Sequence, residues 1–121
     1  NGYLMAEWHF FAAGPSKSNA RKRWTTGTEE ERQKIKKSIK VAVDWQKKTG
    51  IYTWVGAWMP GDYNKGDNYS VKEQTGFASF MTQQLDKYGV PFAIVADHHF
   101  YDYKAEQWIP KYKDLLNTIF M

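Results

Sequence analysis

Few side chains in this sequence combine reactive chemistry with a place at which a strand could aim them. Glu7 lies inside the apolar run Tyr3-Leu4-Met5-Ala6-Glu7-Trp8-His9-Phe10-Phe11, and Asp97 follows Phe92-Ala93-Ile94-Val95-Ala96. A carboxylate at such a position can act as a nucleophile, an acid or a base. The other carboxylates fall on loops or helix faces. The bland alternative for Glu7 is a buried carboxylate paired with an Arg from a neighbouring strand. His9, alone in an apolar strand, reads on its own as a satisfied core histidine. His98-His99 beside Asp97 raises a metal reading, but adjacent strand residues point to opposite faces, so two imidazoles there do not share an ion. The segment from Gly61 to Tyr69 has the Asp and Asn oxygens of a calcium loop and lacks its terminal Glu. With no cysteine in 121 residues, thiolate chemistry and disulfides are excluded. Neither a metal nor a cofactor is expected.

The elements that must position these groups repeat a plan three times. The first run reads as a strand, Tyr3 to Phe11, buried on both faces and closed by Gly14-Pro15. A polar loop from Ser16 to Gly27 follows. Thr28 with Glu31 then makes a capping box, which satisfies the free amides of a helix start. Ile35, Ile39, Ala42 and Val43 supply that helix's apolar stripe, and Gly50 its C-terminal cap. Ile51 to Met59 is the second strand, ended by Pro60-Gly61. Ser70 and Glu73 make a second capping box. Phe77, Phe80, Met81, Leu85 and Tyr88 form the next stripe, which Gly89 ends. Pro91 introduces a third strand, Phe92 to Ala96. A closing helix follows Pro110 and carries Tyr112, Leu115, Leu116 and Ile119.

Strand, loop and helix in threefold alternation predict an α/β fold with parallel strands joined by right-handed crossovers. Three such strands leave two open edges, a poor arrangement for an isolated monomer. The long loops all follow strands, as on the catalytic face of a (β/α)8 barrel. At roughly 250 residues for a whole barrel, the chain holds about three of its eight units. Residues 1–121 are therefore read as a single partial (β/α)8 TIM barrel, and the alternative is a small α/β domain that hides its edges by dimerising.

The motifs are more specific than the pattern. Glu7-Trp8-His9-Phe10-Phe11, then Thr53-Trp54-Val55-Gly56-Ala57-Trp58, then Tyr88-Gly89-Val90-Pro91 leading to Phe100-Tyr101-Asp102, resemble in order the last three strands of glycoside hydrolase family 5, the cellulase family. His9-Phe10-Phe11 is similar to that family's His-x-Tyr motif, with Phe11 in place of Tyr. Gly56-Ala57-Trp58 is similar to the Gly-Glu-Trp motif that carries the nucleophile, with Ala57 where Glu is expected. The Trp usual in the eighth strand is absent from residues 92–96, and the family's acid/base Glu lies after its fourth strand, outside this chain. The resemblance covers nearly the whole chain through short motifs.

This resemblance implies a retaining β-glycanase, endo-β-1,4-glucanase-like, acting on β-linked glucan or a related plant polysaccharide and secreted. Such an enzyme needs two carboxyl groups about 5 Å apart, one to attack the anomeric carbon and one to protonate the leaving oxygen. Ala57 cannot attack. It stands there by engineering, by natural degeneration, or because the register is displaced by one unit, in which case Glu7 is the alternative nucleophile. Without turnover of its own, the chain is expected to pair with an N-terminal barrel portion or to self-associate. His9 would bind substrate or nucleophile; Phe11, Trp54, Trp58 and Asp97 would line the sugar site. Sugar rings have apolar C–H faces that aromatic side chains can cover. Trp54 and Trp58, four apart on a strand, are expected to share a face, with Trp58 as the sugar platform. Trp24 lies in the first long loop, and Trp45 and Trp108 are assigned to the core.

A non-catalytic, carbohydrate-binding half-barrel is the second reading. The third, nucleic-acid binding, follows from a net charge of +4, with 17 Lys and Arg against 13 Asp and Glu, concentrated from Lys17 to Lys48. A solvated helix face plus a loop is the preferred explanation of that run, and no glycine-rich phosphate loop or aromatic-basic RNA motif supports nucleic-acid binding. No nucleic-acid partner is expected. No run reaches the roughly 18 apolar residues of a membrane helix, so no membrane partner is expected either.

Overall fold

The computed structural model describes residues 4–12, 23–61, 69–95 and 97–120, with the side chains of Phe11, Asp97 and His98 outside that description. Three strands, β1 (Met5–Phe11), β2 (Tyr52–Met59) and β3 (Phe92–Ile94), form a parallel sheet in the order β1-β2-β3. Helix α1 (Glu29–Thr49) crosses from β1 to β2, and α2 (Val71–Tyr88) from β2 to β3. After β3 come a single-turn helix α3 (Asp97–Phe100), a two-stranded hairpin of β4 (Tyr101–Asp102) and β5 (Gln107–Trp108), a 3₁₀ turn at Pro110–Tyr112, and α4 (Lys113–Phe120). The parallel α/β architecture is as the alternation predicts.

Local chemistry sets both helix starts. The Thr28 hydroxyl accepts from the Glu31 amide while the Glu31 carboxylate accepts from the Thr28 amide, and Ser70 with Glu73 repeats the arrangement. Both helices end on a glycine in the left-handed region, Gly50 at φ 73° and Gly89 at φ 64°, where a side chain would be strained. The basic residues of α1 are partly paired along its solvated face, as in Lys34–Glu30 and Lys40–Asp44. Exposed pairs of this kind contribute about 0–1 kcal/mol each.

Both long helices and α4 bury their stripes together with one face of the sheet. Phe77 of α2 is central: it stacks on Phe10 of β1 and packs against Trp58 of β2 and Trp24. Ile35, Ile39 and Val43 of α1, Met81 and Leu85 of α2, and Leu115, Leu116 and Ile119 of α4 join the same core. Each fully buried side chain of this size contributes about 1.5–3 kcal/mol, which far exceeds its helix propensity.

Several expectations are corrected. Strand β1 is covered on one face only, since Glu7 and His9 are exposed on the other. β3 ends at Ile94 and not at Ala96, because α3 begins three residues later. Trp45 and Trp108 are not core: they are 40% and 46% exposed. Trp45 falls on the solvent side of α1, where Ile39 and Val43 take the inward positions. The β4–β5 hairpin was not foreseen; two residues per strand are too few for an alternation signal.

Candidate functional site

The open face of the sheet is built by a break in its register. Met5 to Trp8 pair with Tyr52 to Val55 residue for residue, but His9 pairs with Ala57, so Gly56 is an extra residue on β2. β2 shows the same irregularity toward β3, where Val55 pairs with Phe92 and Trp58 with Ile94. A bulge reverses the alternation beyond it. Val55 and Trp58, three apart, therefore both face the helices and are fully buried. Trp54 is the register partner of Glu7, and Ala57 that of His9.

This overturns the expected shared face of Trp54 and Trp58. Trp58 packs against Phe77 and Phe92 with ring centroids 5.9 and 5.7 Å away, so it cannot serve as a sugar platform. Trp54 remains half-buried beside the open face. Trp24 is also structural. It lies edge-on to Phe77, stacks on Phe80 and closes against Gly27, where a Cβ would come within 2.7 Å of its ring.

On the open face, Glu7 and His9 are brought together. The His9 Nε2 lies 3.0 Å from Glu7 Oε1, with the side chains 54% and 47% exposed. With Nε2 protonated, the imidazole donates to the carboxylate. Two residues apart on one strand, they necessarily share a face. Glu7 reaches across to β2 because Gly56 has no side chain: a Cβ there would overlap Glu7 from Cγ to Oε1. Ala57 sits next to His9 in the adjacent strand, toward the C-terminal ends of the parallel strands. Among the described residues no Arg pairs with Glu7, which is exposed and not buried; Arg23 places its guanidinium 4.8 Å over the Phe10 ring.

The rim beyond these residues is held by backbone contacts. The Ala12 amide donates to the Met59 carbonyl, and the Ala12 carbonyl accepts from the Arg23 amide and, at 2.8 Å, from the Tyr69 hydroxyl. Tyr69 thus ties the segment after β2 to the end of β1. Sequence reading passed over this contact, which joins residues 57 positions apart. Phe11 pairs with Met59 in the backbone register; its side chain, that of Asp97 and the loop 62–68 lie outside the described residues. Among the described residues, no group of three or more His, Cys, Asp or Glu is placed to hold a metal ion.

Comparison with solved structures places this architecture. A family 5 lichenase from a Caldicellulosiruptor species superposes with a TM-score of 0.69 at 16% identity, over 95% of this chain and 33% of its own. The fold is that of part of a family 5 glycoside hydrolase barrel. Cel5A from Thermotoga maritima, solved with cellobiose, matches at TM-score 0.69 and 19% identity over 95% of this chain and 39% of its own. The cellulose synthase subunit Z of Clostridioides difficile matches at 0.73 and 13% identity, over 95% and 40%. The chain thus corresponds to between a third and two-fifths of each of these proteins. No protein-family model matches the sequence, and no curated protein does. Among the described residues, no helix is long and apolar enough to cross a membrane.

Proposed function

We propose that this chain forms the C-terminal part of a retaining β-glycanase of the endo-β-1,4-glucanase kind, acting outside the cell on β-linked glucan or a related plant polysaccharide. One observation carries the reading: Glu7 and His9 meet at 3.0 Å on the open sheet face, beside Ala57 and toward the strand ends at which barrel enzymes work. In this reading His9 and Trp54 contact the sugar, and Glu7 is the carboxylate available for chemistry. Phe11, at the end of β1, and Asp97, beyond the end of β3, complete the sugar-contacting set in this reading.

A retaining reaction needs a second carboxyl group about 5 Å from the first. Ala57 does not provide one, and the helix carboxylates Glu29, Glu30, Glu31, Asp44 and Glu73 are engaged on their own helices or helix caps. In this reading the chain by itself binds glycan without hydrolysing it. The acid/base group comes from an N-terminal barrel portion or, less economically, from a second copy; either would cover the edges that β1 and β3 leave open. The second reading, a carbohydrate-binding half-barrel with no catalysis, uses the same face and is favoured by the absence of a carboxylate at Ala57.

Calorimetric titration with cellotetraose, together with reducing-end release from lichenan, tests the proposal. The expected result is binding that weakens at least about fivefold in His9→Ala, and no hydrolysis by the chain alone. Hydrolysis by the isolated chain would overturn the assignment of the second carboxylate. Absence of binding to any β-glucan would overturn the function.

A further inference from the structure

β1 lies at the edge of the sheet, and beyond its register break it is paired through His9 with Ala57, Phe10 with Trp58 and Phe11 with Met59. The place of His9 on the open face is therefore set by whatever fixes these last residues. The chain fixes them just past Phe11. The Ala12 amide donates to the Met59 carbonyl at 3.3 Å, which extends the ladder by one bond. The Ala12 carbonyl accepts twice, from the Arg23 amide at 2.6 Å and from the Tyr69 hydroxyl at 2.8 Å, so both of its lone pairs are used. Ala12 and Tyr69 are 0% and 6% exposed. The junction is thus buried by this chain itself, whatever covers the sheet edges.

The Tyr69 hydroxyl is held from a rigid element. Ser70, the next residue, is the N-cap of α2 and closes its capping box with Glu73. Further along α2, Phe77 stacks on Phe10 of β1 with ring centroids 6.2 Å apart. Helix α2 therefore reaches the end of β1 by two routes, an apolar one through Phe77 and Phe10 and a polar one through Tyr69 and Ala12. Apolar packing is non-directional and tolerates sliding. A hydrogen bond prescribes both distance and angle. That difference matters at a binding face, where side chains work only when held within about 0.5 Å of the productive geometry.

We propose that Tyr69 is a positioning residue: its hydroxyl, acting through the Ala12 carbonyl, fixes the end of β1 and with it the place of His9 beside Glu7 and Ala57. Tyr69 is buried and touches no sugar; it acts on the open face only through β1. The consequence for glycan binding rests on the function proposed above, whereas the positioning itself rests on the buried junction at Ala12.

The test sets Tyr69→Phe beside the parent chain, following the His9 ring ¹⁵N signals without ligand and the affinity for cellotetraose. Phe keeps the buried ring and removes only the hydroxyl. Ile119→Val, a core change on α4 with no part in the junction, serves as the control for stability. Each variant should lower the melting temperature by about 4–8 °C. Only Tyr69→Phe should shift the His9 ring signals. It should also weaken cellotetraose about threefold, less than His9→Ala, because it displaces the imidazole and does not remove it. In the His9→Ala background it should have no further effect on affinity. His9 signals unchanged by Tyr69→Phe, or shifted equally by Ile119→Val, would overturn the proposal, as would a loss of affinity that persists without His9. A shift of His9 with affinity unchanged would support the positioning and count against His9 as a sugar contact. If the parent chain binds no cellotetraose, the function proposed above falls and the His9 signals decide the positioning.

Discussion

Gly56→Ala is the substitution through which the site's construction can be read. A Cβ at this position overlaps the Glu7 side chain from Cγ to Oε1, and the colliding atoms are the far end of a flexible, half-exposed side chain. The cheapest relief is rotation of Glu7 away from β2, which breaks its contact with His9. An exposed pair of this type contributes about 0–1 kcal/mol. Removing a glycine from extended backbone returns about 0.4–1 kcal/mol by restricting the unfolded chain. Gly56 does not have positive φ, so alanine meets no backbone strain. The two contributions nearly cancel, and the melting temperature should move by no more than about 5 °C for a domain of this size.

The geometry, by contrast, should change completely. The Glu7 carboxyl ¹³C signal of Gly56→Ala should shift from that of the parent chain, and its His9 ring ¹⁵N pattern should match that of Glu7→Ala. In the double variant, Gly56→Ala should have no further effect on His9, because the two positions act through one contact. A loss of more than about 10 °C would refute the reasoning, since it would mean that the bulge backbone itself requires glycine. So would a His9 ring pattern unchanged from the parent chain.

Two further outcomes follow from the packing and the caps. Trp58→Ala should cost about 3–5 kcal/mol, measured by urea denaturation, because it empties a fully buried site between Phe77 and Phe92; a cost under about 1 kcal/mol would return Trp58 to the surface. Burial pushes the Glu31 carboxyl up, but hydrogen bonds from the Thr28, Thr25 and Gly27 groups outweigh it and hold the group below its ordinary value of 4.5. A carboxyl depressed in the folded state adds stability that is present above its unfolded value and fades as pH falls through the folded one. Glu31→Gln should therefore be less stable than the parent near neutral pH, with the difference shrinking below about pH 4; a difference that does not depend on pH would refute this cap electrostatics.

The sequence made the frame legible where local rules act alone. Thr28, Glu31, Ser70, Glu73, Gly50 and Gly89 are read correctly because a capping box or a left-handed cap is decided within four or five residues. Trp45 and Trp108 were misassigned because bulk and hydrophobicity favour the core, while the helix phase of Ile35, Ile39 and Val43 excludes Trp45 from the inner face. The β4–β5 hairpin was hidden because its order comes from ring contacts among Tyr101, Tyr103 and Trp108 and not from strand alternation.

The central error and the central feature of the site have one cause. A strict period of two places Trp54 and Trp58 together; one extra residue at Gly56 sends them to opposite faces. A glycine inside an apolar strand is itself the sequence signal for a bulge or a close approach, and here it is both. The bulge carries Trp58 under the helices, where it anchors Phe77, and it brings Ala57 level with His9. The missing side chain opens the space into which Glu7 extends. The same residue thus couples the packing of one face to the polar geometry of the other. A side chain at position 56 should therefore act on His9 while leaving the Trp58 core intact, which is the separation that the Gly56→Ala experiment measures.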